Sequence, residues 1–264
     1  MIEPVTWYFC IDRGHIDFAG ENQDNVMRPL GDFQNEADMN DWSEFTLAMV
    51  TFFLLHSLPV RPAVKARIIN LIGARQFTFF YSCVSIVALG WLIVAASRAP
   101  YLELWSPAPW QHMAALLVMA GVCLIVAFTL ARPNPFSFGG SSGTGFDPSH
   151  AGIVRIHRHP LLLSFFLWAG VHLLPNGDLA HVILFGLFAW FSLIGMKLID
   201  RRTRRQLGAD EFEALRATVN QAPLLQSFAR DNVLTRTAAG LGLFAALLIL
   251  HPLIIGVSPV AALY

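Results

Sequence analysis

From residue 43 onward, long apolar runs alternate with short polar or basic segments. Six runs read as membrane helices: 43–59 ("SEFTLAMVTFFLLHSLP", closed by Pro59), 77–97, 111–131, 160–175, 179–199 and 237–257. Each approaches the roughly 20 apolar residues that carry a helix across a bilayer. A helix also satisfies its own backbone hydrogen bonds where water is absent. The expected fold class is all-α, a polytopic transmembrane helical bundle of about six spans. The "PNGD" at residues 175–178 is a tight turn by its Pro-Asn-Gly chemistry, which makes the fourth and fifth runs an antiparallel hairpin.

Composition agrees with that reading. Of 264 residues, 55% are hydrophobic and 14% charged, with a mean hydropathy of +0.53, against about 25% charged in soluble domains. Formal net charge is zero, so no general basic field attracts nucleic acid, and membrane lipid is the expected partner. Cys10, Cys83 and Cys123 are too widely spaced for a CxxC site and read as packing residues. Residues 1–44 hold ten acidic side chains against Arg13 and Arg28, with no basic stretch leading into an apolar core. That is not a signal peptide. The expected organisation is a disordered acidic extension over 1–42, a transmembrane core over 43–200, an amphipathic segment over 201–236 and a last span and tail over 237–264.

Basic residues set the orientation. Arg61, Lys65, Arg67 and Arg75 follow the first run; Arg132, Arg155 and Arg158 follow the third; Lys197, Arg201, Arg202, Arg204, Arg205, Arg216, Arg230 and Arg236 follow the fifth. Fifteen of the eighteen basic residues thus share one side, which the positive-inside rule makes cytoplasmic, with both termini on the outer side. The connection "RPNPFSFGGSSGTGFDPSHA" is rich in glycine, but no Gly-Lys-Ser/Thr follows, so it reads as a flexible loop rather than a phosphate loop. Residues 201–218 read as an interfacial helix whose arginines face anionic headgroups or simply anchor the fifth span.

Histidines carry the candidate chemistry, because an ionisable side chain inside a span is costly and is a functional lead. By orientation His56 and His159 lie near the cytoplasmic side and can share a level, with His157 beside them. His172 lies 13 residues beyond His159, roughly 20 Å along a helix, in an outer group with His112 and His251. Imidazole pairs on facing bundle helices suit haem b. Neither CxxCH nor HExxH occurs, which removes covalent haem and the simplest zinc protease. Structural roles stay open for each: His157 and His159 as an interfacial anchor with Arg155 and Arg158, His56 bonded to a backbone carbonyl, and His251 filling the gap that Pro252 leaves in a helix.

The stretches "FFLLHSLPVRPAVKARIINLIGARQFTFFYSCVSIVAL", "GIVRIHRHPLLLSFFLWAGVHLLPNGD" and "LIDRRTRRQLG" together resemble the NnrU family of bacterial integral membrane proteins, over roughly residues 45–208. The resemblance implies a multi-pass protein of the bacterial inner membrane, with a role in denitrification (nitrite and nitric oxide metabolism) and nitrite or nitric oxide reductase machinery as partners. The chain is also similar to the zeta-carotene isomerases, which bind haem b through histidines and isomerise a polyene. That similarity implies haem b as cofactor, held by His56 and His159 as metal ligands with His172 a third candidate. His157 departs from the small polar residue expected there and competes as a ligand. Three functions follow: a haem-binding protein of denitrification, a haem-dependent isomerase of a polyene or isoprenoid, and a non-enzymatic scaffold or assembly factor.

Overall fold

The computed structural model describes residues 30–138 and 145–261, with side chains from residue 42 onward. Residues 1–29 of the acidic extension, 139–144 of the glycine-rich connection and 262–264 of the tail lie outside the described residues. Among the described residues ten α-helices occur and no strand: α1 (Leu30–Ser57), α2 (Pro62–Ile72), α3 (Ala74–Arg98), α4 (Pro109–Thr129), α5 (Ile153–Ile156), α6 (Pro160–His172), α7 (Leu179–Leu207), α8 (Ala209–Gln221), α9 (Leu224–Ser227) and α10 (Val233–Ile254). The all-α class holds. The chain divides into two units after Ala37, and Asp38–Tyr264 contains the packed bundle.

The count of spans is smaller than the hydrophobic runs imply. Four helices, α3, α4, α7 and α10, are long and apolar enough to cross a membrane. A fifth span exists only if Trp42–Ser57 and α2 are taken together, and those two pieces bend by 75° at the break between them. The break follows from Pro59 and Pro62, neither of which can donate a backbone hydrogen bond to a continuing helix. The fourth expected span is the short one. Pro160 opens α6 and the turn before Leu179 closes it, leaving 13 residues, about 20 Å of helix against about 30 Å of hydrocarbon.

Two other boundaries shift. α1 starts at Leu30, earlier than the first apolar run; no Pro or Gly occurs between Asp32 and Pro59 to interrupt it. α7 does not stop at residue 199 but runs to Leu207, where Gly208 turns the chain at φ 93° into α8. Arg201–Arg205 therefore extend a membrane helix instead of opening an interfacial one.

Packing follows the helical period. Phe45, Ala48, Met49 and Phe52 of α1, spaced three and four apart, are buried against Ala88, Leu92, Ala95 and Ala96 of α3 and Ala180 and Leu184 of α7. α10, α4, α6 and α7 lie side by side in that order. At the α4–α10 crossing a Cβ on Gly240 would stand 3.0 Å from Leu124 Cα and 3.2 Å from the Cys123 carbonyl. Only glycine permits that approach, as in other close helix pairs in membranes. The expected α6–α7 hairpin is present. Asp178 caps α7 by accepting from the His181 N–H at 3.1 Å. Where the arginines gather, Phe136, Ala151, Ile153, Val154, Phe212 and Val219 form a small second core under α8.

Candidate histidine sites

α6 and α7 run antiparallel, so residues along α7 act as a ruler for the histidines. At the basic end, His159 precedes α6 and is buried; its Nε2–H donates to Asp200 Oδ1 of α7 at 2.9 Å. Arg158 donates to the same carboxylate through Nε, at 2.9 and 3.2 Å, and through Nη2, at 2.6 Å. This fork is the geometry in which guanidinium binds carboxylate best. The bonded Asp200 raises the Arg158 pKa above its ordinary value. His159 Nδ1 is buried without a hydrogen-bond partner. His157 lies edge-on to His159 with ring centroids 6.0 Å apart, and its Nδ1 accepts from the His159 backbone N–H at 3.2 Å. Burial, the largest influence on it, holds the His157 pKa below the ordinary histidine value.

His56, near the end of α1, sits among aromatic rings. It stacks on Phe52 with centroids 5.4 Å apart and meets Phe191 of α7 edge-on at 5.8 Å. The Tyr81 hydroxyl donates to the His56 carbonyl at 3.0 Å and lies 3.3 Å from His56 Nδ1. With its single proton spent on the carbonyl, that hydroxyl accepts from Nδ1–H, which leaves Nε2 with a lone pair. His172, at the other end of α6, donates from Nδ1 to the Trp168 carbonyl at 2.7 Å. Its ring lies 5.2 Å from Phe185 and 5.4 Å from Trp168. It too keeps a lone pair on Nε2. His251 of α10 donates from Nδ1 to the Val257 carbonyl at 2.6 Å.

The expected pairing of His56 with His159 does not form. His56 contacts Phe191 and His159 contacts Asp200, nine residues apart on α7, or about 13 Å along its axis. His56 is closer in level to His172: Phe191 and Phe185 differ by six residues, about 9 Å. Between those levels Phe188 touches Phe52, Phe53 and Trp168. Of the outer group, neither His251 nor His112 makes a hydrogen bond or ring contact with His172, which is held by Trp168 and Phe185. His181 and His150 instead pair with Asp178 and Asp147 at 2.8 and 2.9 Å.

Among the described residues no group of three or more His, Cys, Asp or Glu is placed to hold a bare metal ion. Haem is less demanding, since the porphyrin supplies four ligands and the protein two axial ones. For that group His56 and His172 have the suitable donor chemistry: each imidazole has Nδ1 fixed by an oxygen and Nε2 without a partner among aromatic rings, with Phe188 the ring that would have to give way between them. His159 has its Nε2 bound to Asp200 in an ion-paired setting. Sequence reasoning passed over Asp200 and Tyr81. The signal for Asp200 was an acid closing an apolar run and followed directly by arginines, "LIDRRTRR". Tyr81 carried none, being one aromatic in "FTFFYS".

A family model described as NnrU protein matches residues 44–259. No curated protein and no solved structure matches the chain.

Proposed function

The chain belongs to the NnrU family, and on that premise we propose a multi-pass protein of the bacterial inner membrane that serves nitrite or nitric oxide metabolism and holds haem b between His56 and His172. The observation that carries this reading is the pair of imidazoles with open Nε2 atoms on either side of the Phe185–Phe188–Phe191 face of α7. Family membership supports the denitrification context, and the basic residues support a cytoplasmic Arg158–Asp200 end. Bound there, haem b supplies a one-electron iron centre.

The chain's own residues divide the work. Tyr81 and the Trp168 carbonyl hold the Nδ1 protons and fix the tautomers that leave Nε2 free. Phe52, Phe185, Phe188 and Trp168 keep water from the site. Arg158 and His159 grip Asp200 and set the register of α6 on α7, which places His172 at the Phe185 level.

The test is the absorption spectrum of the purified protein after haem supplementation. A Soret band that His56→Ala and His172→Ala each shift or remove, and that His159→Ala retains, is the expected result. No Soret band with wild-type protein overturns haem binding. Unchanged denitrifying growth of a strain carrying both His56→Ala and His172→Ala leaves the scaffold reading as the better one.

A further inference from the structure

Around α2 the chain carries Arg61, Lys65, Arg67 and Arg75, and no acidic residue occurs between Glu44 and Glu103. Elsewhere on the basic side arginines meet carboxylates: Arg132 with Asp231, Arg158 with Asp200, Arg204 and Arg216 with Glu213, and Arg230 with Asp147. The four cations around α2 have no ion pair among the described residues. Arg61, Arg67 and Arg75 are exposed, and the Lys65 ammonium lies over the Phe77 ring of α3, 5.7 Å from its centroid.

α2 is also amphipathic. Val64, Ile68, Leu71 and Ile72 recur at the helical period and share one face. Of these Val64, Leu71 and Ile72 are exposed, Leu71 at 84%, and no residue of the helix is buried. By the same period Lys65 and Arg67 border that face on either side, with Ala66 and Asn70 opposite. Basic side chains at such borders cover apolar surface with their stems while their charged ends reach headgroups. The direction of the helix agrees. Trp42–Ser57 packs along the spans α3 and α7, and α2 departs from that line by 75°, which turns it along the membrane face rather than through it.

We infer that α2 lies in the cytoplasmic leaflet as an interfacial helix whose partner is anionic phospholipid. Its apolar face enters the acyl boundary, about 5–10 Å deep for such helices, and Arg61, Lys65, Arg67 and Arg75 bind the negative headgroups. The positive-inside rule puts this connection on the cytoplasmic side, where the leaflet carries the anionic lipids. Charge decides between occupants. A second copy docking by the same face would set these cations against their own equivalents, whereas an anionic leaflet complements them.

The experiment places a nitroxide at Leu71→Cys or Asn70→Cys in the full-length chain, with Cys10, Cys83 and Cys123 changed to alanine. The protein sits in vesicles of phosphatidylcholine with about one quarter phosphatidylglycerol, which supplies the negative surface. Both labelled positions are exposed, so neither label disturbs packing. The label at residue 71 is expected to collide with dissolved oxygen and to be shielded from a water-soluble nickel chelate, and the label at residue 70 to show the reverse. Lys65→Gln and Arg67→Gln should each lower the ratio of shielded to chelate-accessible label at residue 71 about fivefold, the equivalent of about 1 kcal/mol per charge. Vesicles of phosphatidylcholine alone should lower it too, while Arg202→Gln, an exposed cation of α7, should leave it unchanged. Equal chelate access at residues 70 and 71 overturns the interfacial helix. A ratio indifferent to phosphatidylglycerol and to both charge changes overturns anionic recognition. Dipolar broadening at residue 71 that grows with the protein-to-lipid ratio assigns the face to a second copy and overturns the proposal as well.

Discussion

At the basic end of α6, His159 is held by a carboxylate that also binds Arg158, while at the far end His172 is held by a backbone carbonyl among Trp168, Phe185 and Phe188. Both imidazoles are fixed through one ring nitrogen. They differ in what does the fixing. A shared carboxylate makes His159 part of a charge network whose loss exposes other charges. A carbonyl of its own helix leaves His172 outside any ion pair among the described residues. The first arrangement ties two helices together, and the second leaves Nε2 without a partner.

Removing the carboxylate gives the largest effect. Asp200→Asn leaves Arg158 and buried His159 without their counter-charge, and breaking such a network costs about 3 kcal/mol. Thermal unfolding in detergent should show a Tm lower by several degrees. A Tm within one degree of wild type, about the error of such a scan, removes the clamp from the account of α6.

Exchanging each histidine for phenylalanine sharpens the contrast. At His159 the change deletes one of the two donors to Asp200 Oδ1, the other being Arg158 Nε, for about 1 kcal/mol. At His172 it deletes a bond to a carbonyl that also belongs to the helix ladder and keeps an aromatic ring beside Phe185, for under about 1 kcal/mol. If haem b is held as proposed, the absorption spectrum should reverse that order, with His172→Phe losing or shifting the Soret band and His159→Phe keeping it. Equal effects in both assays would erase the distinction between the two ends.

Much of this contrast was legible in the chain, and the illegible part has a physical cause. The hydrophobic period announced an all-helical membrane bundle and the α6–α7 hairpin, because apolar runs and Pro-Asn-Gly turns are local properties. The number of spans was overestimated at two places: the first run crosses only as one arm of a bent pair, and the fourth, opened by Pro160, is helical only to His172. The histidines were expected to pair as His56 with His159, yet those two meet α7 nine residues apart. Assigning depth by distance from a span's end put His56 level with His159, whereas α1 and α2 are a bent pair and His56 meets α7 at Phe191. The Arg132–Asp231 pair joins residues 99 positions apart and has no sequence signature.

The smallest effect concerns His157, which belongs to the charged end without sharing Asp200's carboxylate. Its pKa is lowered in the folded chain, first by burial and secondarily by Arg158, with Asp200 acting in the opposite sense. Between its folded pKa and the ordinary histidine value near 6.5, the unfolded chain holds more protons than the folded one. Linkage then makes stability rise with pH across that window. The contribution is whole above the ordinary value and is lost as pH falls through the folded one. Geometry gives the same sign, because a proton on Nδ1 removes the acceptor that the His159 N–H uses at 3.2 Å. Tm measured from about pH 7.5 down to about pH 5.5, the range in which histidines titrate, should decline more steeply for wild type than for His157→Gln, since the amide does not titrate. Parallel curves would place the acid sensitivity elsewhere and detach His157 from the clamp.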